Sequence, residues 1–326
     1  MTHPGHDDGA PIAAPLRVGV LGAGRSRQGL GPFLARAFEA TGAIVVAVAG
    51  RDAAGGARAA SELAAALGHP VAAAPDALAL ARSVDALVVA APVGGHLAGL
   101  DAALAAGVPC LCEKPLVAVA DFAAGLQRIA DFRARGLLLA ENCQWPEALP
   151  ALRVLHPEAL RGPVRSVTMG LSPADPGPAM VADSLSHVLS VVQAVADVPA
   201  DALPSDVRQS DPSPAASANV VAFTLPASTG PVTVELRLQV CPTQPRPAWL
   251  AIDGQRIERR IEPGYRITFV TPDGRAVAAE DPLWRLVYGL RPLLPRAPRE
   301  RTDAFADAVA LRLRLYAAVL GALARG

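Results

Sequence analysis

The first part of the chain alternates two kinds of text. Short, continuously apolar runs end in glycine or turn residues, and stretches with helical spacing separate them. Residues 17–22 (RVGVLG), 44–49 (IVVAVA), 85–91 (DALVVAA), 108–112 (VPCLC) and 137–140 (LLLA) read as buried strands. Helices are predicted over 30–41, 56–67, 96–106 and about 118–135, with Gly42, Gly68 and Gly107 as stops. Strands that are apolar throughout belong to a parallel sheet covered on both faces, and right-handed crossovers make it doubly wound.

After residue 142 the rhythm changes. The pattern predicts a helix over 146–159, a strand over 164–170, a helix over 183–196 and a loop over the Pro-, Asp- and Ser-rich 199–215. From about 218 to 280 the text is strand-like (NVVAFTL, VTVELRLQV, AWLAI, RIERRI, YRITFV), punctuated by Ser228-Thr229-Gly230, Asp253-Gly254 and Asp273-Gly274. A last helix over 299–324 carries an amphipathic stripe of Phe305, Val309, Leu313, Tyr316 and Leu320. The expectation is an α/β domain over 16–142, then an α+β domain over 143–326 built on an open, mostly antiparallel sheet.

Composition narrows the function classes. The 326 residues suit two domains, and 52% hydrophobic against 18% charged residues excludes general disorder. Thirty basic and thirty acidic residues cancel, which argues against nucleic acid or an anionic membrane surface as partner. No apolar run approaches the ~20 residues of a membrane helix. The opening MTHPGHDDGAPIAAP lacks a basic and an apolar signal region, so residues 1–15 read as a disordered tail. Cys110, Cys112, Cys143 and Cys241 complete neither a disulfide framework nor a zinc pattern; they read as buried thiols in a reducing cytoplasm, with no metal.

Twenty-nine of the thirty basic residues are Arg; the one Lys is Lys114. A compact ammonium can lose its proton when buried and serve as acid or base, which a guanidinium cannot. The competing reading is survival by chance.

Gly22-Ala23-Gly24 closes the first strand, where backbone amides and a helix N-terminus can hold a pyrophosphate. The dinucleotide fingerprint wants a third glycine at position 27, which is Arg, so the loop Arg25-Ser26-Arg27-Gln28 is longer than standard. A tight turn without ligand is the alternative. The second strand ends Gly50-Arg51-Asp52. Gly50 removes bulk and charge, and Arg51 can meet a 2′-phosphate, which favours NADP(H) over NAD(H). Two other readings stay open: Asp52 grips an NAD ribose, or Arg51 and Asp52 cap the next helix.

Further strand ends read Ala91-Pro92-Val93-Gly94-Gly95-His96 and Cys112-Glu113-Lys114-Pro115. With Ala103-Leu104-Ala105-Ala106-Gly107 between them, these stretches resemble the Gfo/Idh/MocA dehydrogenases, named for glucose–fructose oxidoreductase and inositol dehydrogenase. Asp183-Ser184-Leu185-Ser186-His187 resembles that family's D-x-x-x-H at a helix start, with both side chains on one helical face; on its own, Asp183 could be an N-cap beside a packed His187. The chain departs from the family in its longer glycine loop, in Glu141–Pro146 and in a C-terminal sheet region that looks short.

The resemblance implies a Rossmann-type domain, a nicotinamide cofactor, and hydride transfer to or from a carbinol or ketone of a sugar, polyol or similar molecule. It implies Lys114 and His187 at the reacting oxygen, with His187 the expected acid/base and Lys114 polarising the oxygen or sharing the proton, Asp183 supporting His187, and Glu113 reaching the nicotinamide-side ribose or backbone. Gly22, Gly24, Arg25, Ser26, Arg27, Arg51, Ala91, Pro92, His96, Glu113 and Lys114 are the expected cofactor contacts. A dimer or tetramer through the open sheet is expected by the same resemblance. A non-catalytic dinucleotide sensor, or a same-fold reductase of an imine or other non-sugar substrate, is the alternative. Arg259-Arg260 reads as a solvated strand edge, and Trp145 as a pocket, core or hinge residue.

Overall fold

The computed structural model describes residues 14–24, 29–263, 265–294 and 296–325. All but the last two residues of the expected tail lie outside them.

Six parallel strands form the first sheet: β1 (Arg17–Leu21), β2 (Ile44–Ala49), β3 (Ala72–Ala73), β4 (Ala86–Val89), β5 (Cys110–Glu113) and β6 (Leu139–Asn142), in the order β3-β2-β1-β4-β5-β6. Helices α1 (Gly31–Ala40), α2 (Ala53–Leu67), α3 (Ala77–Arg82), α4 (His96–Ala106) and α5 (Phe122–Ala134) cross over between them. Alternation along the strands feeds two cores. Val18 and Val20 pack with Leu34 and Phe38 of α1, whereas Leu87 and Val89 pack with Leu100 and Phe132 of α4 and α5. The chain reverses its winding between β1 and β4, which opens a crevice at their carboxyl ends.

The second sheet has eight strands: β7 (Ser166–Leu171), β8 (Ser205–Gln209), β9 (Ala218–Leu225), β10 (Val232–Gln239), β11 (Ala248–Ile252), β12 (Gln255–Glu262), β13 (Arg266–Val270) and β14 (Ala276–Ala279). Their order is β14-β13-β12-β11-β7-β10-β9-β8, antiparallel except where β7 lies parallel to β10. Before β7 come a single turn over Trp145–Ala148 and α6 (Leu149–Leu155), shorter than the helix expected over 146–159. Helix α7 (Pro178–Val195) is long and apolar enough by composition to span a membrane, but here it buries Met180, Leu185, Val188, Leu189, Val191 and Val192 within the core beside the second sheet.

Several elements differ from expectation. β8 lies within the predicted loop 199–215, and the short β3 and α3 had no strong pattern. Helix α7 begins at Pro178 rather than 183. The second sheet is not short. Two C-terminal helices return to the first domain: α8 (Pro282–Leu290) places Leu283, Val287 and Leu290 in the core of α1, while α9 (Arg299–Leu323) runs against α5 and α7. The packing therefore crosses the boundary expected at 142/143. All four cysteines are free, and three are buried.

Candidate active site

The glycine turn has the shape a dinucleotide requires. Gly22 ends β1 at φ +91°, and its N–H donates to the Ala49 carbonyl at 2.9 Å. A Cβ there would lie 2.5 Å from the Ala91 backbone nitrogen and Cα, so only glycine fits. Gly24 faces open space, with no atom within 4 Å of a Cβ position. Gly31 rests on the turn, where a Cβ would meet Ala23 Cα and the Gly22 carbonyl oxygen at 2.8 Å. Gly31 thus performs the helix–strand packing of the third fingerprint glycine, four positions later than the usual spacing. Of the expected cofactor contacts, Arg25, Ser26 and Arg27 lie outside the described residues. Ala91 backs the turn, and Pro92 is exposed at its rim.

At the end of β2, Asp52 caps α2: its Oδ1 accepts from Gly55 N–H at 2.7 Å. The residue expected in one reading to hold a ribose is therefore committed to a helix. Gly50 is small because α2 packs on it; a Cβ would sit 2.6 Å from Gly56 N. Arg51 is exposed beside the crevice.

The strand end carrying Lys114 is clamped from two sides. His96, expected to touch cofactor, is buried instead, with Nδ1 3.0 Å from the Pro115 carbonyl and Nε2 2.8 Å from the Ala91 carbonyl. Both ring nitrogens are used by backbone, so His96 ties the end of β4 to the turn after β5. Burial lowers its pKa. On the other side, Glu141 accepts from Leu116 N–H at 3.0 Å and from Arg312 Nη1 at 2.7 Å, and Arg312 Nε donates to Gln193 at 2.8 Å. In the sequence Glu141 stood out only as the start of a stretch that departs from the family, and Arg312 not at all, since their partners come from remote segments. Glu113 accepts from Asn142 Nδ2 and is buried; desolvation raises its pKa to about 7.

Lys114 meets α7 across the boundary between the sheets. Its Nζ donates to Asp183 Oδ1 at 2.7 Å and to the Asp183 carbonyl at 2.8 Å. Asp183 lies inside the helix, so it is not an N-cap. Burial pushes its carboxyl up, but the Lys114 charge and hydrogen bond outweigh that and hold it below the usual range. The expected support of His187 by Asp183 is not made: Asp183 bonds Lys114, and His187 Nδ1 is enclosed with no hydrogen-bond partner. Burial first, then the Lys114 charge, depress the His187 pKa to about 3, so the imidazole is neutral.

Asp183, Ser184 and His187 line a cleft of about 180 Å³ with Gln144, Trp145, Arg246 and Arg259. Trp145 is buried, with the Arg259 guanidinium carbon 5.3 Å from its ring centre. Arg259 is therefore no solvated edge: β12 is an interior strand, and position 259 shares a face with buried Ile257. That alternation was the available signal for it.

The sequence model of the GFO_IDH_MocA family, described as an oxidoreductase family with an NAD-binding Rossmann fold, matches residues 16–139. Residues 16–139, the stretch from β1 to the start of β6, thus resemble the Rossmann domain of that family. Over 95 residues it is 41% identical to a dTDP-3,4-didehydro-2,6-dideoxy-alpha-D-glucose 3-reductase of Streptomyces violaceoruber, a match covering 28% of this chain and 27% of the relative. The chain thus spans about a quarter of that relative's length. Among solved structures, an inositol dehydrogenase homolog from Azotobacter vinelandii complexed with NAD+ superposes with a TM-score of 0.66 at 17% identity, over 97% of both chains. A 3-ketoreductase from Actinomadura kijaniata, as a K102A mutant with TDP-benzene and NADP, gives 0.64 at 21% identity over 93% of this chain and 96% of that one. These likenesses show a shared fold through both sheets. The Gly22–Gly24–Gly31 cradle fits the nicotinamide dinucleotide that the family description implies.

Proposed function

We propose that the protein is a nicotinamide-dependent oxidoreductase that moves a hydride between the cofactor and a carbinol, or its ketone, on a sugar, polyol or similar small molecule. The observation that carries this reading is the bond between Lys114, from the end of β5, and Asp183 of α7, which with His187 lines a cleft. The sugar reductase among the relatives supports the substrate class.

The nicotinamide, when bound, supplies hydride donor or acceptor chemistry. The Gly22–Ala23–Gly24 turn and Gly31 would hold its pyrophosphate; Arg51 would meet a 2′-phosphate, and for that reason we assign NADP(H) over NAD(H). The chain's own part is one proton. Lys114 gives it to the substrate oxygen in reduction and removes it in oxidation, with Asp183 fixing the ammonium. His187, held neutral, hydrogen-bonds the same oxygen without adding a second cation.

The test is a fluorescence titration with NADPH and NADH, followed by turnover assays on polyols and keto sugars. Saturable binding and turnover that collapses in Lys114→Ala support the reading. No binding of either nucleotide overturns it, and undiminished turnover in Lys114→Ala removes Lys114 from the chemistry.

A further inference from the structure

The turn between β12 and β13 carries a tyrosine where backbone geometry asks for glycine. The pairing of Glu262 with Arg266 leaves a three-residue loop, 263–265. The last place of such a loop is commonly left-handed and filled by glycine. Here it is Tyr265, at φ +60°, while the glycine of this stretch stands one place earlier in the sequence, at 264. A bulky residue is held in that region only where its surroundings demand it, and such outliers gather at the working parts of proteins. At 49% exposure the Tyr265 ring is too open for its own burial to account for the strain.

Two sets of neighbours hold the side chain, and they lead in opposite directions. Its ring stacks on Phe33, with centres 5.7 Å apart and planes 29° from parallel. Phe33 sits in the first turn of α1, two residues after Gly31, which rests on Gly22 and Ala23 of the glycine cradle. On the other side are Asp281 and Arg259. Burial first, then the Asp281 carboxylate, raise the Tyr265 pKa, and the Arg259 guanidinium opposes them. Asp281 is itself fixed at the start of α8, where its Oδ1 accepts from Leu283 N–H at 2.9 Å. Tyr265 and Asp281 in turn support the charge on Arg259, which burial disfavours. The Arg259 guanidinium lies over Trp145, and both residues line the cleft. Tyr265 therefore stands between the first turn of α1 and the arginine of the cleft.

We propose that Tyr265 is a positioning residue that ties occupancy of the nucleotide cradle to the setting of Arg259 at the cleft. A nucleotide seated against the start of α1 fixes Phe33, and Phe33 fixes the Tyr265 ring. Tyr265, with Asp281, then fixes the guanidinium above Trp145. The two sites are coupled through one packed contact and one charge cluster. The cleft is thereby set for its own ligand when the cradle is filled. This rests on the reading of the glycine turn as a dinucleotide site.

The test needs no substrate. The full chain is labelled with 5-fluorotryptophan, and the Trp145 fluorine resonance is assigned by its loss in Trp145→Phe. The probe is 2′-phospho-ADP-ribose, which fills the cradle but brings no nicotinamide to the cleft; calorimetry follows its binding. Saturation with the probe should shift the Trp145 resonance. Tyr265→Phe keeps the stack and loses the hydroxyl, whereas Phe33→Leu loses the stack. Both variants should bind the probe, and both should lose the shift. Phe33→Tyr, which restores an aromatic face, should retain it. A role confined to stability would lower the melting temperature of the variants and leave the shift intact. Trp145 unmoved in the parent protein with probe bound, or a shift that survives in either variant, overturns the proposal. If Phe33→Leu fails to fold, Tyr265→Phe, at a half-exposed position, decides the matter. If neither the probe nor NADPH binds, the dinucleotide reading and this proposal fall together; probe binding without the shift removes this proposal alone.

Discussion

Lys114 Nζ and Asp183 Oδ1 are 2.7 Å apart although 69 positions separate them in the chain. That bond joins the turn after β5 to the second turn of α7, and it brings the chain's one ammonium side chain to Asp183, which lines the cleft. Lys114→Ala should lower kcat by about 10²- to 10⁴-fold, the usual contribution of a positioned acid or base. NADPH affinity should persist. Lys114→Arg should not restore turnover, because a guanidinium does not release its proton. Steady-state kinetics beside a nucleotide titration separates the two effects.

Arg51 is exposed at the end of β2, while its neighbour Asp52 is committed to the cap of α2. Arg51→Ala should weaken NADPH by about tenfold or more and leave NADH nearly unchanged, since only the former carries a 2′-phosphate. Parallel fluorescence titrations read this directly.

Gly22 and Gly24 should respond differently to alanine. At Gly22, with φ +91°, a methyl collides with the Ala91 backbone. Gly22→Ala should cost about 1–2 kcal/mol from backbone conformation alone, and the clash adds to that in thermal unfolding. Gly24→Ala meets no protein atom, so the melting temperature should hold. Its methyl occupies the open side of the turn, and NADPH binding should fall. Unaltered affinity would mean the pyrophosphate does not approach Gly24.

Glu141 and Arg312 form a buried pair, with side chains 3% and 11% exposed. Arg312→Met leaves the Glu141 carboxylate without its cation, and breaking such a pair costs about 3–5 kcal/mol. Denaturant unfolding should show that loss. Because Glu141 also holds Leu116 N–H, two residues beyond Lys114, kcat should drop as well.

Glu113 predicts a pH dependence. Burial raises its pKa from 4.5 to about 7, so the folded protein keeps a proton that the unfolded chain releases. Its stabilising share is complete below 4.5 and is lost as pH rises to about 7. Glu113→Gln should remove that decline. Relative to the unsubstituted protein, the variant should gain up to about 3 kcal/mol between acid and mildly alkaline pH. Parallel pH profiles of unfolding free energy provide the check.

Much of the architecture was legible in the sequence. The runs at 17–22, 44–49 and 85–91 are apolar on both sides because their strands are covered on both faces, and a period of that kind is local information. Less legible were α8, which interrupts no pattern until Leu283 and Val287 find α1, and β8, whose Ser-Asp-Val-Arg-Gln text resembles a loop until β9 pairs with it. Gly31 was visible as a glycine, but its role depends on resting upon Gly22 and Ala23.

Sequence alone determined which residue types stood ready for chemistry: a single Lys at a strand end, a glycine turn after the first strand, and an Asp and His one helical turn apart. Only the tertiary structure decided who partners whom. It bound His96 to backbone carbonyls, gave Asp183 to Lys114 instead of His187, and set Arg246 and Arg259 at one cleft. Periodicity along a chain records which face is buried. It does not record which distant charge will lie opposite once that face is closed, and desolvation and Coulomb forces act only after closure brings those groups together.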